Sequence, residues 1–253
     1  MIPAPAPPDS KPPGTLPLFT FRGIRVFLHW SWAIVAVWQI QMGRGLYSNI
    51  AWDIGVYVSL FAIVLLHEFG HAFATRQVGG TADQILLWPF GGIAYVKTPP
   101  RPGAYLWGVA AGPLVNVVLW PVFYFLASQY VDPLDVSQNW RLVRLHALPD
   151  IAVYLWELFM INTALIVFNL LPIYPMDGGQ ILRGLLWYKL GGLRSMYIAA
   201  WTGLILGGLF TLYLFLSPGI SIFMALMLAL MLHQSWMTIQ GIRAWRAQNG
   251  GRW

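Results

Sequence analysis

The 253-residue chain has no cysteine, nine acidic residues and five histidines. Without cysteine, disulfides and thiolate ligands are excluded, so any metal site must be built from histidine and carboxylate. Charge is scarce too: 9% of residues are Asp, Glu, Lys or Arg, against 58% hydrophobic. A soluble domain carries about 25% charged residues, so the composition excludes a soluble enzyme and indicates a polytopic membrane protein. The net charge of +6 does not indicate nucleic-acid binding, because the basic residues form no cluster and flank the apolar runs.

Seven prolines among the first 17 residues predict a disordered, Pro-rich cytoplasmic tail over residues 1–21. Six apolar runs follow, near 26–42, 54–75, 104–128, 151–171, 195–216 and 220–240. At 1.5 Å per residue, about 20 residues cross a hydrocarbon core of roughly 30 Å. The membrane domain is therefore expected over 22–240, its catalytic core over about 54–190, with a short basic tail at 241–253. Placing the N-terminus in the cytoplasm puts twelve Lys and Arg inside and three, Arg44, Arg141 and Arg144, outside. That excess predicts cytoplasmic N- and C-termini. Trp30, Trp32, Trp38 and Trp52 fit interface anchors. His29 is expected to be structural, and Asn162 to serve helix packing.

Residues 79–97 do not fit a span. Two short apolar runs flank Pro89, Phe90, Gly91 and Gly92, which predicts a β-hairpin re-entering the membrane against protein or a water-filled cavity. The expected fold class is an all-α polytopic membrane protein with six transmembrane helices and this short re-entrant hairpin between the second and third.

Within the second run lies His67-Glu68-Phe69-Gly70-His71. On a helix, residues four apart share a face, so both imidazoles reach one zinc ion, and the adjacent Glu68 can act as general base on a water the metal activates. The composition predicts about 0.001 accidental matches to this pattern. Ionisable groups in an apolar span are costly and signal function. A catalytic zinc needs a third protein ligand. Asp177, delivered by the broken helix around Pro172, Pro175, Gly178 and Gly179, is the first candidate. Glu157, near the other end of the fourth run, is its rival. Buried ionisable groups also suit a proton-coupled transporter, but that class does not call for the His67–His71 spacing.

These motifs resemble those of the site-2 protease family (peptidase family M50), the intramembrane zinc metalloproteases. His67–His71 match its H-E-x-x-H, and Asn169 to Gly178 match its N-x-x-P…D-G, in which the Asp is the third zinc ligand. Gly112, Pro113 and Asn116 resemble its G-P-x-x-N, and residues 88–92 its re-entrant loop. The resemblance implies a zinc metalloendopeptidase holding one Zn2+ per chain through His67, His71 and Asp177, with Glu68 catalytic. It also implies a transmembrane protein substrate in a bacterial or archaeal cell membrane. Asn116, Asn169, Gly91 and Gly92 are candidates for holding substrate or the oxyanion. With room for neither a PDZ nor a CBS domain, the chain resembles the minimal members. Oligomeric state is open.

Overall fold

A computed structural model of the chain describes residues 11–43, 46–88, 91–130, 148–216 and 222–250. The fold divides into two compact units. One holds Ala6–Lys97 and Ala111–Ile166, the other Thr98–Ala110 and Val167–Trp253.

The first unit is built on a four-stranded sheet. Strands β1 (Thr15–Phe21), β2 (Ile24–His29), β3 (Thr81–Trp88) and β4 (Gly91–Lys97) lie in that order. β1 pairs antiparallel with β2, and β3 antiparallel with β4. The central pair, β2 and β3, is parallel, with Val26 opposite Ile85 and Leu28 opposite Leu87. Gly23, at φ 75°, makes the tight β1–β2 turn. Between β2 and β3 the chain runs through α1 (Trp32–Gly43) and α2 (Ile50–Gln77). Ile24, Val26, Ile85 and Leu87 are fully buried and share one core with Val64, Phe69 and Ala72 of α2.

Asn49 caps α2, its side-chain oxygen accepting from the N–H of Ala51 at 2.9 Å, with Asp53 in the first turn and Arg76 in the last. Both charges suit the helix dipole. Two further helices follow: α3 (Pro102–Ser128), with Pro113 and Pro121 inside it, and α4 (Asp150–Leu170). Both run on from one unit into the other. The second unit adds α5 (Asp177–Leu190), α6 (Gly192–Leu216) and α7 (Ile222–Gln248).

The structure departs from the sequence expectations in several places. Among the described residues four helices are long and apolar enough to span a membrane: α2, α3, α4 and α6. The first expected run, 26–42, begins as strand β2 and leaves α1 only 12 residues, about 18 Å of helix. α7 takes up the sixth run with 27 residues but is not among the four, and Gln240, Arg243 and Arg246 lie in its second half. The fold is thus mostly helical with a sheet, not all-α, and the hairpin is half of that sheet. Its turn residues Pro89 and Phe90 lie outside the described residues, as do Arg44, Arg141 and Arg144. Residues 15–21, expected in the tail, form β1. Trp32, expected as an interface anchor, is 3% exposed and packs edge-on against Tyr57 and Phe61.

Candidate metal centre

α2 carries His67, Glu68 and His71 as the spacing requires. His67 and Glu68 are each 5% exposed. The two imidazoles meet edge-on, ring centroids 4.7 Å apart, with Nε2 facing Nε2 at 3.1 Å. Two neutral imidazoles repel if both aim lone pairs at each other, so this arrangement suits a shared cation. Two nitrogens at about 2.05 Å from a tetrahedral zinc stand roughly 3.3 Å apart. The pair therefore fits zinc in donor type and in separation.

α3 closes over the pair. A methyl group at Gly112 would fall on Nε2 and Cε1 of His71 and come within 2.8 Å of Nε2 of His67. Gly70 lets the helices approach, since its missing Cβ would stand 2.6 Å from the carbonyl oxygen of Ala111. One turn beyond Gly112, Asn116 places Oδ1 2.6 Å from Nδ1 of His67. Asn116 and Asn162 of α4 are both fully buried and doubly bonded to each other. Nδ2 of Asn116 donates to Oδ1 of Asn162 at 2.8 Å, and Nδ2 of Asn162 donates to the backbone carbonyl of Asn116 at 2.9 Å. Next to this pair, Nε1 of Trp120 donates to Oγ1 of Thr163 at 3.1 Å.

Glu68 points toward β4. A Cβ at Gly92 would collide with the Glu68 carboxyl group, so the strand passes against it only because residue 92 is glycine. Gly91 is half-buried at φ 134°, a conformation open to glycine. Glu157, the rival third ligand, has its own partner: the Tyr47 hydroxyl donates to its Oε2 at 2.7 Å. Burial first, and then that bond, push the Tyr47 phenol above its ordinary range.

In the second unit Asp177, 9% exposed, is the first residue of α5, where the helix dipole favours a carboxylate. The turn before it is held from several sides. Nε2 of Gln180 donates to the carbonyl of Pro175 at 3.0 Å, and Ser235 of α7 donates to the carbonyl of Tyr174 at 2.6 Å. Gly203 of α6 lies against the Tyr174 backbone, where a Cβ would stand 2.6 Å from both its nitrogen and its oxygen. Tyr105 completes the bracing: it donates to Oε1 of Gln180 at 3.1 Å, while Arg183 lies 4.6 Å over its ring. Asn169 is half-buried in the last turn of α4.

Sequence reasoning gives Gly112 no individual role and reads Asn162 as packing, yet one touches both imidazoles and the other holds the residue bonded to His67. A fully polar amide inside an apolar span is the available signal. Asn116, expected to serve substrate or oxyanion, has its oxygen directed at His67 and its nitrogen at Asn162.

Residues 55–210, more than half of the chain, match the sequence profile of Peptidase family M50. Over 204 residues the chain is 34% identical to zinc metalloprotease MJ0392 of Methanocaldococcus jannaschii, covering 80% of this chain and 55% of that protein. It is 32% identical over 126 residues to stage IV sporulation protein FB of Bacillus subtilis, covering 49% of this chain and 37% of that protein. The chain thus spans about half the length of these relatives, or less. The solved structure of the site-2 protease from Methanocaldococcus jannaschii aligns with a TM-score of 0.60 and 28% identity, over 89% of this chain and 95% of that one. With an H-E-x-x-H helix whose imidazoles converge, a matching profile and a solved relative of the same fold, the chain belongs to Peptidase family M50.

Proposed function

We propose that this chain is an intramembrane zinc metalloendopeptidase that cuts a transmembrane protein substrate within or near its membrane helix. The observation that carries this reading is the pair of imidazole nitrogens 3.1 Å apart on an apolar helix, with Glu68 buried beside them. Asp177 is the proposed third ligand to one zinc ion. Support comes from its place in the N-x-x-P…D-G stretch and from the rigid turn that presents it. Glu157 is a poorer candidate because it already accepts from Tyr47.

Zinc, when bound, would lower the pKa of a coordinated water toward about 7 and polarise the scissile carbonyl. Glu68 takes the proton from the attacking water and returns it to the leaving amine. Asn169 is the proposed donor to the oxyanion or the unwound substrate backbone. Gly91 and Gly92 keep β4 free of side chains beside Glu68. As an edge strand, β4 is open to pair with an extended substrate segment, which strand addition would hold unwound. The substrate class is a membrane-anchored regulator, such as an anti-sigma factor, in a bacterial or archaeal cell membrane.

The test is metal content together with cleavage of a transmembrane reporter by purified protein. Glu68→Gln is expected to keep about one zinc and lose cleavage, and Asp177→Asn to lose both. Full metal and activity in Asp177→Asn, with both lost in Glu157→Gln, would overturn the ligand assignment.

A further inference from the structure

The two buried asparagines form a chain of hydrogen bonds in which only one member has a role fixed by covalent structure. That member is the backbone carbonyl of Asn116, which can only accept. The side-chain atom of Asn162 that meets it at 2.9 Å must therefore be the amide nitrogen. This orients the Asn162 amide, so its oxygen faces Asn116 at 2.8 Å and requires a donor there. The Asn116 nitrogen must fill that place. Its oxygen is then left facing Nδ1 of His67 at 2.6 Å, and an oxygen there requires a proton on the ring nitrogen. With the proton on Nδ1, the neutral imidazole presents a lone pair at Nε2, the atom that faces His71. All three side chains are buried, Asn116 and Asn162 completely, so water cannot substitute for any bond in the chain.

We propose that Asn162 is a positioning residue for the metal site. Through the orientation of Asn116 it fixes His67 as the Nδ1–H tautomer, which places the ring's lone pair on Nε2 for the cation. The inference rests on the reading of His67 as a zinc ligand. Asn162 lies on α4 and touches neither imidazole in this chain of bonds. It acts by making one of the two Asn116 amide orientations the only satisfied one, because a reversed Asn116 would set its oxygen against the oxygen of Asn162, and its nitrogen would then select the opposite His67 tautomer by donating to Nδ1. Hydrogen-bond partners of this kind on ligating histidines typically change metal affinity about 10- to 100-fold when removed.

The experiment uses the full chain in detergent micelles, labelled with 15N-histidine and stripped of metal by chelator, with the His67 resonances assigned by comparison with His67→Gln. The expected result is a proton on Nδ1 of His67 in the unsubstituted protein; a proton on Nε2 overturns the inference. Asn162→Leu is expected to give mixed tautomers and to weaken zinc binding about 10- to 100-fold in a chelator competition. The Asn116→Asp/Asn162→Leu double variant distinguishes orientation from packing, because a carboxylate accepts at either oxygen and needs no orienting. It is expected to recover the Nδ1–H tautomer and most of the lost affinity. A wild-type tautomer and zinc affinity within twofold in Asn162→Leu, or no recovery in a folded double variant, would refute the role. Absence of zinc binding by the unsubstituted chain would instead overturn the ligand reading, and leave the tautomer measurement to decide the orienting role.

Discussion

At the scale of single residues, a missing methyl group at position 112 lets α3 lie against both imidazoles. Gly112→Ala would put a carbon onto His71 and close to His67, and crowding a packed site costs about 1–3 kcal/mol. The expected outcome is loss of most bound zinc with helix content preserved, read by elemental analysis and circular dichroism on the purified variant. Some of this scale is legible in the sequence. His67, Glu68 and His71 are, because their relation is set by helix geometry over five residues. The role of Asn162 is not, because its partner lies 46 positions earlier, a separation that no local period encodes. The same kind of distance hides the bond from Tyr47 to Glu157, 110 positions apart.

At the scale of elements, the end of the histidine-bearing helix is tied to the sheet by one side chain. Arg76, in the last turn of α2, donates to the backbone carbonyls of Arg22, Gly23 and Ala82, joining the β1–β2 turn to the start of β3. Phe21 packs edge-on against Phe69, inside the H-E-x-x-H stretch, and against Phe73, at centroid distances of 5.6 and 6.3 Å. Arg76→Ala is expected to raise amide hydrogen exchange severalfold in residues 22–25 and 81–84 while α2 around His67 keeps its protection, a contrast that exchange mass spectrometry resolves. If both regions stay protected, the aromatic contacts alone hold the junction. The sheet is half legible in the sequence. β3 and β4 can be read from their Gly-Pro punctuation, whereas β2 merges into an apparent first span. The apolar residues Val26, Phe27 and Leu28 of β2 are followed within a few residues by the apolar start of α1. A short run of that kind cannot be told from a buried helix by period.

At the scale of the whole molecule, the helices expose apolar side chains that a soluble protein would bury, among them Val118, Phe125, Leu209, Tyr213 and Leu216, each more than 55% exposed. Such faces suit lipid. The distribution of Lys and Arg predicts both termini in the cytoplasm, and the cysteine-free sequence makes that easy to test. Asn249→Cys would carry the only thiol in the chain. It is expected to react with a membrane-impermeant maleimide in inside-out vesicles and not in intact spheroplasts; the opposite pattern would invert the topology. The parallel pairing of β2 with β3 has a consequence for how the protein is made. Synthesis proceeds from the N-terminus, so β1 and β2 emerge first and must wait through α1 and the whole of α2 before β3 exists to pair with them. The sheet can therefore close only after the whole histidine-bearing helix has been synthesised, so its completion marks the first unit's helices α1 and α2 as already made.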